Sequence, residues 1–232
     1  AYHNIGRAGI EALRKNGFEI SAVFTHQDNP DENIWFGSVA ELAGEYDIPV
    51  FAPESVNHPV WVNRIRAMKP DYIFSFYYRD MLGGEILSIP SKGAINLHGS
   101  LLPKYRGSAP VQWAVLNGDA ETGVSIMQMD EGLDTGDVLA CEKIAIDPEE
   151  TSGQLFDRVT AVGARVLCET LPAIEAGTLK AEPQAHENAS VAPMLSKEMA
   201  QFKLTDSADH IHNWVRGMNP WPGAWFVTAG GK

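Results

Sequence analysis

The sequence predicts an α/β protein in which an open, mostly parallel sheet carries helices on both faces. Three observations predict it. Short runs of apolar, β-branched and aromatic residues alternate with segments of helical periodicity, polar or glycine-containing turns separate them, and 44% of the 232 residues are hydrophobic. That content is enough for a sizeable core, and the alternation is typical of a Rossmann-like sheet.

The first half of the chain is predicted to alternate between helices and buried strands. The opening helix has apolar residues at helical spacing from Ile5 to Leu13, and Asn16-Gly17 stops it. The segments that follow are a strand at Phe18–Thr25, a helix at Gly37–Tyr46, a strand at Pro49–Ala52, a helix at Val60–Met68 and a strand at Tyr72–Tyr78.

The second half begins with a strand at Ala94–Leu97 and a helix at Ala109–Leu116. Two strands in close succession are predicted next, Gly123–Met129 and Val138–Ile146, joined by a polar loop. A long helix then runs from Thr151 to about Ile174, and Pro172 is expected to kink or end it.

The domain organisation is predicted from a change of composition after residue 177. Residues 1–180 form a catalytic domain, 181–197 a Pro- and Ala-rich linker, and 198–232 the start of a small β-rich C-terminal module with a helix near Asp206–Arg216. We expect further residues at both ends, and the sequence leaves open whether the protein forms a homo-oligomer or carries a fused second domain.

The composition argues against several classes of protein. The net charge is -12, from 30 acidic and 18 basic residues, and the Lys and Arg are scattered, which disfavours nucleic acid as the main partner. No run approaches the roughly 18 apolar residues of a membrane span, so we expect a cytoplasmic protein. Cys141 and Cys168 lack the spacing of a metal site, and no metal is predicted.

The first chemical motif lies where a strand ends, at Asn96-Leu97-His98. Alternation along a strand places Asn96 and His98 on the same side, at the sheet edge where open α/β sheets bind ligands. An amide donor beside an imidazole suits the oxyanion of a tetrahedral intermediate and the proton transfer that follows. Taken alone the motif is weak, because a histidine that ends a strand is more often structural.

The loop Asp130–Asp137 supplies the second motif, with carboxylates beside glycines. A carboxylate near His98 would orient the ring and favour its imidazolium form, and Asp134 is the predicted partner. The alternative is a solvated turn, since Asp and Gly favour turns for local reasons.

Together these residues resemble the folate-dependent formyltransferase family. Ile95–Gly107 (INLHGSLLPKYRG) and Leu133–Asp137 (LDTGD) carry the likeness. It implies transfer of a formyl group from 10-formyltetrahydrofolate to a primary amine, with Asn96 stabilising the transition state, His98 donating the proton and Asp134 supporting His98. It also implies that the folate lies against Asp80, Met81 and Leu82 and along Asp130, Glu131, Gly132, Leu133 and Asp134.

The acceptor amine is harder to predict, because two subfamilies are resembled. The first half, including Phe24–Ala43 and Ile73–Leu82, is similar to the formyltransferase domain of the bifunctional polymyxin-resistance enzyme, which implies UDP-4-amino-4-deoxy-L-arabinose and lipid A modification. Ser108–Asp137 and Asn219–Trp225 resemble methionyl-tRNA formyltransferase. Ser108 also stands where the arabinose enzymes have an arginine among their folate contacts.

Charge favours the sugar nucleotide over tRNA. The segment Asp28–Asn33 is short and acidic where the tRNA enzymes carry a longer basic insertion, and it would repel phosphates. Trp35 and Phe36 beside it could stack on a base or sugar, although simple packing is the commoner role of such a pair. A non-catalytic folate- or nucleotide-binding relative is the third hypothesis, and the joint presence of Asn96, His98 and Asp134 argues against it.

Overall fold

A computed structural model of the chain describes residues 1–27 and 36–228. Within these ranges helices and strands alternate, as the sequence predicts. The helices are α1 His3–Lys15, α2 Val39–Glu45, α3 Pro59–Met68, α4 Gly84–Leu87, α5 Pro110–Leu116, α6 Ser152–Glu175 and α7 Ala208–Gly217, and the strands are β1 Val23–Phe24, β2 Val50–Phe51, β3 Ile73–Phe76, β4 Ala94–His98, β5 Glu121–Gln128 and β6 Val138–Ala145.

The strands form two hydrogen-bonded sets. Strands β1 and β2 pair in parallel, and a four-stranded sheet has the order β3-β4-β5-β6. Strands β3 and β4 are parallel, whereas β5 runs antiparallel to both β4 and β6. Among the six named strands, the parallel pairs are β1–β2 and β3–β4, and the short Asp130–Asp137 connection makes β5 and β6 a hairpin.

The main core lies between helices α1 and α6 and the four-stranded sheet. Leu155, Val159 and Leu167 of α6 are fully buried, and they pack with apolar residues of α1, β4 and β5. Helix α6 begins with a capping box in which the side chains of Thr151 and Gln154 bond reciprocally to backbone N–H groups. The apolar stripe and the cap together fix the start of this helix beside the carboxyl end of β4.

One predicted strand differs clearly from the structure. Only Val23–Phe24 of the predicted strand Phe18–Thr25 is extended and paired, because the Phe18 N–H still bonds to the Leu13 carbonyl and so belongs to the end of α1. Helix α6 ends at Glu175, close to the predicted end at about Ile174, and it runs through Pro172. Proline lacks the N–H that would bond to the Cys168 carbonyl, so one helical hydrogen bond is lost there, and the helix ends three residues later.

The segment predicted as a linker packs against the sheet domain. Glu182 and Val138 exchange two backbone hydrogen bonds of 2.9 Å, and the Ala192 N–H donates to the Arg106 carbonyl at 2.7 Å. Ala192 itself is fully buried. The segment therefore forms a fixed layer beside the loops that follow β4 and β5.

Beyond this segment, α7 and the tryptophan-rich stretch after it pack on α5. Leu116 of α5, Leu195 and Met218 form a buried cluster with Trp214 and Trp221 packed against it. The Ser152 hydroxyl donates to the Gly217 carbonyl at 2.8 Å. These contacts place the Asn219–Trp221 stretch next to the N-terminus of α6.

Candidate active site

Strand β4 is paired on both sides at Asn96 and with β5 alone at His98. Asn96 lies opposite Ser75 of β3 and Met127 of β5, and His98 lies opposite Ser125. The two side chains line one pocket, as alternation along the strand predicts. His98 is only 5% exposed, so its environment is set by protein groups rather than by bulk water.

The two ring nitrogens of His98 face different partners. Nε2 lies 2.8 Å from the Tyr105 carbonyl oxygen, which can only accept, so Nε2 carries a proton and donates it. Nδ1 lies 3.6 Å from Oδ2 of Asp134. This arrangement leaves Nδ1 as the nitrogen that can exchange a proton, with a carboxylate beside it.

Asp134 is drawn to this point by hydrogen bonds from two directions. Its Oδ2 accepts from the Gly107 N–H at 2.8 Å, and its Oδ1 accepts from Nδ2 of Asn96 at 3.3 Å. Asp134 has a φ of 51°, in the left-handed region that Asp tolerates better than most residues but that still costs energy. Strain of this kind persists only where surrounding contacts hold the backbone.

Among residues 1–27 and 36–228, the Asn96 amide group bonds to Asp134 alone and so keeps a second donor. One hydrogen of its amide group points to Asp134, and the second remains available for a ligand oxygen. The site thus combines an amide donor, an imidazole and a carboxylate within hydrogen-bonding reach of one another. Such a set can stabilise a developing oxyanion and supply a proton to a leaving group.

A pocket of about 380 Å³ opens over these three residues. Its wall includes apolar side chains that remain largely exposed to solvent: Met81 at 49%, Leu133 at 46% and Met194 at 57%. Exposed apolar side chains gathered round a pocket with convergent polar groups are typical of a binding site.

The structure places most of the predicted folate-contacting residues at this pocket. Asp80, Met81, Leu82, Asp130, Gly132, Leu133 and Asp134 line it. Glu131 does not, because its carboxylate turns toward Gly84 on another face of the loop. Asp130 is occupied in shaping the loop, since its Oδ1 accepts from the Gly132 N–H at 3.0 Å and from the Thr135 hydroxyl at 2.6 Å.

Several pocket residues have no counterpart among the predicted site residues. His3, Tyr77, Tyr78, Arg79, Gln112, Met127, Met129, Phe156 and Trp221 all line the pocket. For Met127 a sequence signal existed, because it pairs with Asn96 once β5 is aligned antiparallel to β4. For the others the signal is weak, since they come from separate parts of the chain.

Two of these additional groups have shifted titration. Burial lowers the pKa of His3 to about 3, so this histidine is neutral at ordinary pH. Its ring centroid lies 4.6 Å from that of Phe156. Burial raises the pKa of Tyr78 to about 12, with the charge of Asp80 adding to the shift. Both groups therefore act as neutral surfaces of the pocket rather than as acids or bases.

The segment thought to select the acceptor lies largely outside the described residues. Asp28–Asn33 and Trp35 fall outside the residues that the structure describes. Phe36 is described: its ring centroid lies 4.0 Å from that of His3 and 5.2 Å from that of Tyr2, and it also lines the pocket. Phe36 therefore packs against other aromatic rings and also faces the pocket, where a ligand could contact it.

Residues 2–171 match the model of the formyl transferase family, and residues 194–232 match that of the formyl transferase C-terminal domain. The chain belongs to the formyl transferase family. It is a formyl-transferring enzyme, and the predicted fold class, a Rossmann-like α/β domain followed by a small C-terminal module, is confirmed. Gln184 lies between the two matched segments.

Solved structures of other proteins share this fold. An N-formyltransferase from Helicobacter canadensis, in complex with folinic acid and dTDP-3-aminofucose, is 20% identical with a TM-score of 0.72, over 93% of this chain and 77% of that one. WlaRD, a sugar 3N-formyltransferase solved with dTDP and 5-N-formyl-THF, is 21% identical with a TM-score of 0.75, over 94% and 76%. A 4-N formyltransferase from Francisella tularensis is 19% identical with a TM-score of 0.73, over 91% and 83%.

Over residues 1–27 and 36–228, every helix is too short or too polar to cross a membrane. Within the same ranges, His, Cys, Asp and Glu side chains do not gather in threes in a way that could hold a metal ion.

Proposed function

We propose that this formyltransferase moves the formyl group of 10-formyltetrahydrofolate to the primary amine of a nucleotide-linked amino sugar. The observation that carries the proposal is the convergence of Asn96, His98 and Asp134 at the base of one pocket. As the amine attacks, the free amide hydrogen of Asn96 binds the developing oxyanion. Nδ1 of His98 takes up the proton that the attacking amine loses and delivers it to the departing folate nitrogen, while Asp134 orients the ring and stabilises its transient imidazolium form.

The walls of the pocket suit a folate donor. Met81 and Leu133 are exposed apolar side chains on the two loops to which the family resemblance assigns folate contact, and Leu82 is buried behind them. A flat heteroaromatic ring that enters here would cover apolar area that is otherwise open to water. Ser108 also lines the pocket, and its short side chain leaves space where the arabinose enzymes place an arginine.

The charge at the pocket favours a small nucleotide-linked acceptor over tRNA. Of the described residues that line it, Arg79 is the only Lys or Arg. Its guanidinium carbon lies 4.4 Å from the centroid of the Tyr2 ring, which holds the side chain at the pocket. One arginine can meet a diphosphate, whereas binding an acceptor stem needs several basic groups, and the net charge of -12 opposes it.

Aromatic surfaces at the pocket could receive a base or a sugar ring. Phe36 and Trp221 both line it, on segments far apart in the chain. An N-formyltransferase with the same fold binds dTDP-3-aminofucose together with folinic acid, and a sugar 3N-formyltransferase was solved in the presence of dTDP. We favour a UDP-4-amino-4-deoxy-L-arabinose-type acceptor, because the first half of the sequence resembles that subfamily.

A panel of acceptors tests this proposal. The purified protein is incubated with 10-formyltetrahydrofolate and, in separate reactions, with UDP-4-amino-4-deoxy-L-arabinose, a dTDP-linked 3-amino sugar, a dTDP-linked 4-amino sugar and methionyl-tRNA. We expect efficient turnover of the UDP sugar. Turnover of a dTDP sugar instead would correct the nucleotide, turnover of tRNA alone would overturn the sugar proposal, and binding of folate without any turnover would favour a non-catalytic relative.

A further inference from the structure

A buried hydrogen-bonded pair lies directly behind the loop that carries Asp134. Gln184 and Arg106 are 7% and 8% exposed. The amide group of Gln184 donates to the carbonyl of Asp134 at 2.9 Å and to that of Gly136 at 2.6 Å. Both of its hydrogens are thus used on the backbone of this one loop.

Arg106 holds the other end of the Gln184 side chain. Its Nε and Nη2 both donate to Oε1 of Gln184, at 3.1 and 2.6 Å. A cation on the carbonyl end of an amide polarises the group and strengthens its N–H donors. The guanidinium charge of Arg106 therefore reinforces the two bonds that reach the loop.

The segment that carries Gln184 is itself tied down on both sides. Glu182 exchanges two backbone hydrogen bonds with Val138, at the far end of the Asp134 loop. The Arg106 N–H donates to the Ser190 carbonyl at 2.8 Å. Gln184 thus lies between two anchored points, so its donors have a fixed position.

The loop needs this support more than the strand does. Asp134 has a φ of 51°, a strained conformation for a residue with a side chain, and its carboxylate must stay 3.6 Å from Nδ1 of His98. Arg106 also follows Tyr105, whose carbonyl accepts from the opposite nitrogen of His98. The pair therefore contacts both chain segments that bracket the imidazole.

We propose that Gln184 is a positioning residue for formyl transfer, which holds the Asp134 backbone through its amide hydrogens while Arg106 polarises and orients that amide. The inference rests on the proposed function, because it acts through the role of Asp134 at His98. Gln184 does not touch the substrates in this account. Its effect is on how often the carboxylate stands in the productive position.

Gln184→Glu separates the two ends of the interaction. A glutamate keeps the shape and still accepts from Arg106, but its second oxygen faces the Asp134 and Gly136 carbonyls and has no proton to donate. We expect kcat to fall by about ten- to a hundredfold, because small displacements of a catalytic group have effects of that size. The KM for the amino-sugar acceptor should stay near the wild-type value.

A double-mutant cycle distinguishes positioning from general destabilisation. In an Asp134→Asn background the effect of Q184E on kcat should largely disappear, since the group being positioned has already been altered. Leu171→Ala serves as the control: it truncates a fully buried side chain of α6 that does not line the pocket, and it should lower the melting temperature with little change in kcat.

The outcomes are separable from those of the proposed function. Near wild-type turnover by D134N would reject the role of Asp134 itself. A loss in D134N with an unchanged kcat in Q184E, or equal losses from Q184E in both backgrounds, would overturn the positioning role alone. Should Q184E not fold, Gln184→Met is judged by the same measures. If neither folds while L171A does, Gln184 serves stability and the proposal fails.

Discussion

Replacing Asp134 by Asn tests the electrostatic core of the proposed mechanism. The substitution keeps the volume of the side chain and one acceptor oxygen, which can still receive the Gly107 N–H now held at 2.8 Å. Its new amide group would face the amide group of Asn96, which today donates to Asp134 at 3.3 Å. Both the negative charge and one hydrogen bond are therefore lost.

The size of the effect follows from the distance between Asp134 and His98. Two unit charges 3.6 Å apart interact by about 5 kcal/mol at an effective dielectric constant of about 20. Part of this energy is already present before the transition state, so only a fraction acts on the rate. We expect kcat to fall by about 10²- to 10³-fold, within the usual range for a positioned general acid.

The assay is the initial rate of tetrahydrofolate release at saturating donor and acceptor, with the melting temperature as the check on folding. Asp157→Asn is the matched control, because it makes the same chemical change at an exposed position of α6 that does not line the pocket. It should leave kcat unchanged. D134N that folds normally and turns over near the wild-type rate would show that the Asp134 charge does not support catalysis.

Three further predictions follow from other described residues. The pKa of His3 is 6.5 in the unfolded chain and about 3 in the folded protein, so the unfolded chain binds the proton first as the pH falls. The free energy of unfolding should therefore drop between about pH 6.5 and pH 3, by up to roughly 5 kcal/mol. In His3→Asn, the asparagine tolerates the local φ of 64°. Denaturant melts of this variant should show an unfolding free energy that depends less on pH, and an unchanged pH dependence would contradict the buried, neutral state of His3. Gly107→Ala places a Cβ 2.8 Å from a backbone oxygen at a φ of +120°. We expect the free energy of unfolding to fall by about 1–3 kcal/mol and kcat to fall through displacement of Asp134. Gly44→Ala, whose Cβ would lie in open space on α2, is the control and should not destabilise the protein. Trp221→Ala should raise the KM for the acceptor several-fold while leaving that for folate unchanged, and equal changes in both KM values would count against acceptor stacking.

The parts of the fold that the sequence predicts are those with a strong local signal. Strand β4 is short but apolar, helix α6 is long and amphipathic, and both form close to where the sequence pattern places them. Phe18–Thr25 has the same apolar character, yet most of it does not pair with another strand. Whether an apolar run extends a sheet depends on a neighbour with free backbone groups, which a local pattern cannot reveal.

The candidate site was predictable to a similar degree. Asn96 and His98 share a strand, so alternation alone places them together. Asp134 required the resemblance as well, because nothing local distinguishes it from the other carboxylates of its loop. Gln184 lies in a Pro- and Ala-rich stretch predicted as a linker, and only tertiary structure shows that its side chain is buried against that loop.

The different supports of the three residues have a consequence for how the rate can vary. Asn96 is fixed by ladders to β3 and β5 and His98 by the ladder to β5, so their backbone geometry changes only if the sheet changes. Asp134 lies on a strained loop that hydrogen-bonds to Gly107 and to Gln184. Gln184 belongs to a segment that lies outside both family matches. We therefore expect substitutions in residues 182–192 to change kcat while the reaction catalysed stays the same. Substitutions in β4 should abolish formyl transfer.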